Sequence, residues 1–469
     1  MSPFRKFAAA SLIAVSLGAA PASAQVFNPE TFTLKNGMQV VVIPNHRVPV
    51  VSHMVWYKVG AADEVEGKTG LAHMVEHMMF KGTPSVPAGE FSRIVAKNGG
   101  RDNAFTTADY TAFFQNVAVE KLPLVMKMES DRMAHLKLDD KDFQPERQVV
   151  LEERRMRIEN EPEAQLAEQM NAALYLSGPY HHPVIGWRAE IENYRLSDIV
   201  DFHKRWYAPN NAILIIAGDV NAAQVKPLAE KFYGAIPARP VPQRLRNPEP
   251  EPVAARTVVL RDPDVQQPSW ERTYLAPSYH VGDRNQAYAL QLLAEILGGG
   301  ATSRLYKSLV VEQTLAVAAE AGYNPQSLGM SSFDISLSPK PGVELAKLQA
   351  AAEGVIRKAA AEGVTQDELD RAKERLRISV TYARDSLHTG ARVLGSALAS
   401  GESIADVEAW PQRIAAVTLD QVNAAAKAVL REERSVTGEL LPANPDEVSP
   451  ERAERGHGGG LGALGREMR

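Results

Sequence analysis

The 469-residue sequence contains no cysteine. Disulfides, thiolate metal sites, cysteine nucleophiles and lipid attachment at cysteine are therefore excluded. Net charge is small too, with 52 basic against 57 acidic residues. A formal net charge of -5 gives no reason to invoke nucleic acid or an anionic membrane as a partner. Beyond residue 24 no stretch has the length or apolarity of a transmembrane helix, so the mature chain is expected to be soluble. What is present, 45% hydrophobic and 23% charged residues, is the composition of a globular protein. The chain is too long for one ordinary core, and two large domains or several small ones are expected.

The first residues carry an address. Arg5 and Lys6 precede an apolar run over 7–20, and Ala22-Ser23-Ala24 follows it. A basic start, an apolar middle and a small-x-small site read as a secretory signal peptide, 1–24, cleaved after Ala24. The alternative, an uncleaved membrane anchor, meets an apolar run that is short for a span. Export is expected, with a bacterial periplasm as the destination.

Residues 31–43 hold two β-rich runs separated by Asn36-Gly37, a strong hairpin signal. A third strand is expected over 50–59, then a helix around His73 that stops near Lys81-Gly82 with Pro84 beyond. Residues 103–117 read as β again. Helices are expected over 122–136, over 142–160 with Pro145 in the first turn, and over 164–176. A buried strand is expected over 211–217. Six prolines among charged residues between Pro237 and Pro252 suggest an extended connector, placed at 237–256. It separates an N-terminal domain, 25–236, from a C-terminal one, 257–441.

The second part resembles the first. One offset carries Val41-Val42-Ile43 onto Val258-Val259-Leu260 and Tyr57 onto Tyr274. It also carries the His73 helix onto residues 290–297. A single offset across strand, turn and helix argues for duplication. His73, Glu76 and His77 then correspond to Leu290, Leu293 and Ala294, so the copy keeps an architecture and loses a polar site. Its further helices are expected over 343–361 and 365–388. The polar, Gly-rich stretch 442–469 reads as a disordered tail.

The polar site is the chemistry. On a helix, His73, Glu76 and His77 in Gly70-Leu71-Ala72-His73-Met74-Val75-Glu76-His77 share one face. Two imidazoles one turn apart suit a tetrahedral Zn²⁺, and a carboxylate beside them suits a general base. The order His-x-x-Glu-His is the inverted form of the common zinc-peptidase motif. A catalytic zinc needs a third protein ligand, and the segment Glu146-Arg147-Gln148-Val149-Val150-Leu151-Glu152-Glu153 offers two. Residues seven apart return within about 20° on a helix, so Glu146 and Glu153 share a face and Glu152 points elsewhere. One of the pair could ligate while the other supports a ligand. Equally, both could be exposed carboxylates on a charged helix beside Arg147, Arg154 and Arg155.

His-x-x-Glu-His followed by Glu-Arg-x-Val-Val-Leu-x-Glu resembles the pitrilysin and insulinase family of inverted zinc peptidases, in its short-chain branch. Phe80-Lys81-Gly82-Thr83, Asn103-Ala104-Phe105-Thr106, Tyr207-Ala208-Pro209-Asn210-Asn211 and Gly298-Gly299-Gly300 with Ser303-Arg304-Leu305 extend the likeness over nearly the whole mature chain. The resemblance implies one Zn²⁺ per chain held by His73, His77 and Glu153, with Glu76 as base and Glu146 as a supporting carboxylate. It implies an α+β fold of two homologous domains, each a mainly antiparallel sheet covered by helices, enclosing a chamber with a dimer partner. Asn103, Ala104, Phe105 and Thr106 would form a substrate-binding edge strand, where a peptide adds main-chain hydrogen bonds. Without the family, Asn103 would be read as a turn residue before a strand.

One departure matters. Many relatives carry an Arg–Tyr pair after the Gly-rich segment of the second domain, and here Val310 and Val317 take those positions. Arg272/Tyr279 and Arg375/Tyr382 repeat the spacing outside that context. A missing oxyanion donor costs about 10² to 10³ in rate, so a homologous subunit is expected to supply the pair in a heterodimer, with a homodimer as the alternative. Zinc endopeptidase, non-catalytic assembly subunit and peptide-binding module are the three function classes the sequence leaves open.

Overall fold

A computed structural model describes residues 26–383 and 386–443, so the expected signal peptide lies outside the described residues. Strands β1 (Glu30–Thr33) and β2 (Gln39–Pro44) form the Asn36-Gly37 hairpin, with Gly37 at φ +86°. They join β3 (Val50–Tyr57), β4 (Arg101–Thr106), β5 (Thr111–Ala118) and β6 (Ala212–Gly218) in the order β1-β2-β6-β3-β5-β4. The run expected over 103–117 is thus two strands. Thr107 Oγ1 accepts from the Asp109 and Tyr110 amides and turns the chain between them. All neighbours are antiparallel except β2 and β6.

A second sheet holds β7 (Arg256–Asp262), β8 (Ser269–Ala276), β9 (Ala316–Tyr323), β10 (Ser331–Pro339) and β11 (Ser435–Pro442), in the order β7-β11-β8-β10-β9. With β1 set aside, the two orders agree strand for strand, including one parallel pair in each. The register agrees as well. Val41 faces Ile215, the fourth residue of β6, and Val258 faces Gly438, the fourth residue of β11. Tyr57 and Tyr274 face the first residues of β6 and β11. The duplication is therefore structural. Pro442 closes β11 instead of opening the tail, whose remainder beyond Ala443 lies outside the described residues.

Each sheet is covered on one face by helices of its own half and on the other by a helix from the opposite half. Helix Leu387–Ala399 sets Ala391, Leu394, Ala397 and Leu398 against Val41, Met54, Trp56, Ile213 and Ile215 of the first sheet. A side-chain carbon on Gly395 would stand 2.0 Å from the Trp56 ring, so only glycine permits this approach. Reciprocally, Leu166, Met170 and Leu174 of helix Pro162–Leu174 lie against Leu275, Val436 and Leu440 of the second sheet. β6, Ala-Ile-Leu-Ile-Ile-Ala-Gly, is buried throughout because both its faces are covered.

Two expected helices differ in their limits. Asp139 caps helix Asp140–Arg154 by accepting from the Asp142 amide at 3.0 Å, which starts it earlier and puts Pro145 beyond its first turn. The helix expected over 365–388 is two, Gln366–Ala383 and Leu387–Ala399, the second capped by Ser386.

Residues 237–253 of the Pro-rich connector hold no helix or strand, and the connector is also an anchor. Arg246 reaches Asp63 at 2.8 Å and Asp109 at 2.6 Å, and Arg244 donates to Asp63 at 3.2 Å. Arg244 also donates to the Ala399 carbonyl at 2.9 Å, and Asp109 accepts from the Leu328 amide at 3.1 Å. Connector, first half and second half are tied through two buried carboxylates. Burying those charges is tolerable because each has guanidinium partners.

Candidate metal centre

Helix Leu71–Met78 starts at Gly70, whose φ of +91° is left-handed. A side-chain carbon there would meet the Ile185 carbonyl at 2.4 Å. Glu64 accepts from the Gly70 and Ala72 amides, both at 2.7 Å, and so satisfies two donors at the start of the helix, while burial holds its carboxyl well above the usual range. The helix lies against the core through Leu71, Met74, Val75 and Met78. His73, Glu76 and His77 are left on the remaining face, as the spacing requires.

Helix Asp140–Arg154 brings its carboxylates to that face. Glu153 Oε2 is 3.0 Å from His77 Nε2 and 3.7 Å from His73 Nε2. Glu146 Oε1 is 2.8 Å from His77 Nδ1 and its other oxygen pairs with Lys81. Glu152 turns away to Arg155, as read from the periodicity. The alternative of two exposed carboxylates is not what the fold shows, since Glu146 and Glu153 are largely buried. Thr106, the last residue of β4, donates to Glu76 Oε2 at 2.5 Å.

These groups open on a cavity of about 1170 Å³. Asn103, Ala104, Phe105 and Thr106 line it from β4, which ends the sheet and has no strand on its outer side among the described residues. Val149, Met156 and Val184 add apolar wall. Val310 lies in the π-helical segment Tyr306–Glu312 and Val317 is a half-exposed residue of β9. Of the look-alike pairs, Arg272 is bound to Glu353 and Arg375 to Glu295.

Electrostatics of the site set burial against neighbouring charge. Burial, with His77 beside it, depresses His73 to about 4, so it is neutral and able to donate a lone pair. Burial also works to lower His77, but Glu146 and Glu153 outweigh it and raise it to about 9. A metal would displace that proton. Burial raises Glu76 above the ordinary carboxyl value, against the hydrogen bond from Thr106.

The donor set suits zinc. Ligand atoms of His73, His77 and Glu153 all lie within 4.8 Å of one another. Donors about 2.0–2.1 Å from a tetrahedral Zn²⁺ stand roughly 3.4 Å apart, which the 3.0 and 3.7 Å separations bracket. Three neighbours escaped the sequence reading: Glu64, Lys81 and Arg157. Lys81 and Arg157 each sit one helical turn beyond a site residue, His77 and Glu153, a signal that was available.

In the second half, Leu290 and Leu293 are wholly buried and Ala294 nearly so, in helix Arg284–Gly298. No metal cluster is found there among the described residues.

Residues 39–187 match the family described as Insulinase (Peptidase family M16), and residues 194–376 match Peptidase M16 inactive domain. The second description fits a half whose polar triad has become core. The zinc protease PqqE of Helicobacter pylori is 36% identical over 371 residues, 77% of this chain and 82% of that protein. The crystal structure of a protease from Helicobacter pylori superposes with a TM-score of 0.82 at 32% identity, over 88% of this chain and 99% of that one. Pitrilysin shares the fold, with a TM-score of 0.73 at 18% identity over 89% of this chain and 45% of its own. Motif, duplicated fold and relatives lead to one assignment: the chain belongs to the insulinase family of peptidases, family M16.

Proposed function

We propose that this chain is a zinc-dependent endopeptidase subunit that cleaves short or unfolded peptides. The observation that carries the reading is the meeting of His73, His77 and Glu153 beside Glu76 on a cavity edged by an open strand. Residues 25–236 form the metal-bearing half, 237–256 the connector and 257–441 the half without a metal. His73, His77 and Glu153 hold one zinc, and Glu146 accepts from His77 Nδ1 so that Nε2 presents its lone pair. Against burial, His77 and Lys81 together hold the Glu146 carboxyl below its usual value. The ion, when bound, supplies Lewis acidity toward water and the scissile carbonyl. Glu76 takes the proton of the attacking water and returns it to the leaving amine, a task suited to its raised pKa. Thr106 orients that carboxylate, and β4 holds the peptide through main-chain hydrogen bonds.

With valines at 310 and 317, an Arg–Tyr pair for the oxyanion comes from a homologous subunit, in a heterodimer. The leader 1–24 exports the chain to the periplasm. No described helix is long and apolar enough to cross a membrane.

The purified mature chain, alone and with a chelator, is the test. One bound zinc per chain with near-zero hydrolysis, restored by a homologue bearing Arg and Tyr, is the expected result. Chelator-sensitive full activity of the chain alone would keep the peptidase and remove the partner. Absence of bound zinc would remove both.

A further inference from the structure

The helix that carries Glu146 and Glu153 does not end where its α-helical hydrogen bonding ends. It continues as a π-helical segment, Arg155–Glu159, and such segments recur at functional sites. Within it, Arg157 Nη1 lies 2.7 Å from Glu153 Oε1, the oxygen that faces away from the two histidines. Arg157 has the only Lys or Arg side chain among the residues lining the metal cavity. The other carboxylates of the wall have their own partners, Glu76 in Thr106, Glu146 in Lys81 and His77, and Glu152 in Arg155.

Arg157 is also open, with 70% of its side chain exposed. A guanidinium has five N–H donors, and Glu153 occupies one face of this one. Once Glu153 shares its charge with a divalent ion, it neutralises Arg157 only in part. An exposed, partly uncompensated guanidinium at the rim of a cleft is a receptor for a carboxylate, which it binds in a bidentate way. Val149 and Met156, both about half exposed on the same helical run, would accept the apolar portion of the same ligand.

We propose that Arg157 docks an anionic group of the peptide, a free C-terminal carboxylate or an acidic side chain near the scissile bond. This rests on the peptidase reading above and narrows its substrate class to short peptides with a carboxylate within reach of the metal cavity. The role is recognition, separate from holding Glu153.

Binding without turnover tests it, using zinc-loaded Glu76→Gln protein and one fluorescent hexapeptide as free acid, as amide, and as amide with an internal Glu. The free acid or the Glu-bearing amide is expected to bind about tenfold tighter than the plain amide, and which of the two does so identifies the source of the anion. Adding Arg157→Gln is expected to level the three, at zinc content measured in parallel. Arg157→Lys keeps a cation beside Glu153 and is expected to keep zinc with a smaller preference, because an ammonium cannot form the bidentate pair. A preference that survives Arg157→Gln would belong to the metal and overturn the proposal. So would equal binding of all three peptides, or a stronger preference in the lysine variant. Hydrolysis by the wild-type chain with its partner separates the two readings. No cleavage of any peptide removes the peptidase, whereas equal kcat/KM on acid and amide removes only the role of Arg157.

Discussion

Glu76→Gln is expected to lower peptide hydrolysis by about 10² to 10⁴ while leaving zinc content at the wild-type level. The amide is the same size as the carboxylate and can still accept from Thr106, so helix Leu71–Met78 has no reason to shift. What disappears is a group able to accept a proton. Glu76 is not one of the three clustered donors, so metal retention is part of the expectation. Metal analysis, and initial rates with the Arg–Tyr-bearing partner added, on the same preparation check it. More than a few per cent of the wild-type rate would remove Glu76 from its role, and loss of zinc would mean that it ligates.

The largest effect on stability is expected far from that centre, at Asp63. Its side chain is 1% exposed and faces both Arg244 and Arg246. Asp63→Ala leaves two guanidinium groups against the single carboxylate of Asp109, and stranding a partner of a buried ion pair costs about 3–5 kcal/mol. Arg244 also holds the Ala399 carbonyl at the end of helix Leu387–Ala399, so the damage should reach the packing of that helix on the first sheet. Denaturant unfolding is the measurement, and an unchanged midpoint would contradict the anchoring role. Activity should fall in step, because the Asp109 turn joins β4 to β5 and β4 ends at Thr106.

Local and periodic features were the legible part of this molecule. Asn36-Gly37 announces its hairpin, Gly82 and Pro84 mark the end of the His73 helix, and helical spacing puts Glu146 and Glu153 on one side. The repeat was legible because strand register survives duplication even where chemistry does not, as Tyr57 and Tyr274 show. The illegible part is long-range. Nothing in the spacing of Asp63, Asp109, Arg244 and Arg246 marks them as one cluster, and a Pro-rich charged stretch reads as a spacer. The turn at Thr107 was missed because Ala108-Asp109 lacks Gly or Pro, and a threonine side chain does the turning instead. At the site, periodicity could set faces but not oxygens. That Glu153 offers Oε2 to the histidines and Oε1 to Arg157 is a tertiary fact.

The reciprocal helices bear on how such a chain came to exist. Helix Pro162–Leu174 and helix Leu387–Ala399 have the same length, 13 residues, and each roofs the sheet of the other half. A single half made alone would carry a bare apolar sheet face on one side and an unclaimed amphipathic helix on the other. Two identical halves would satisfy one another by trading those helices, which is a domain-swapped pair. Joining the two reading frames through the stretch now holding Arg244 and Arg246 would make the trade permanent. It would also free one copy to let Leu290 and Leu293 replace a histidine and a glutamate without losing the shared architecture. The way back is closed, because polar groups restored at those positions would be buried without partners.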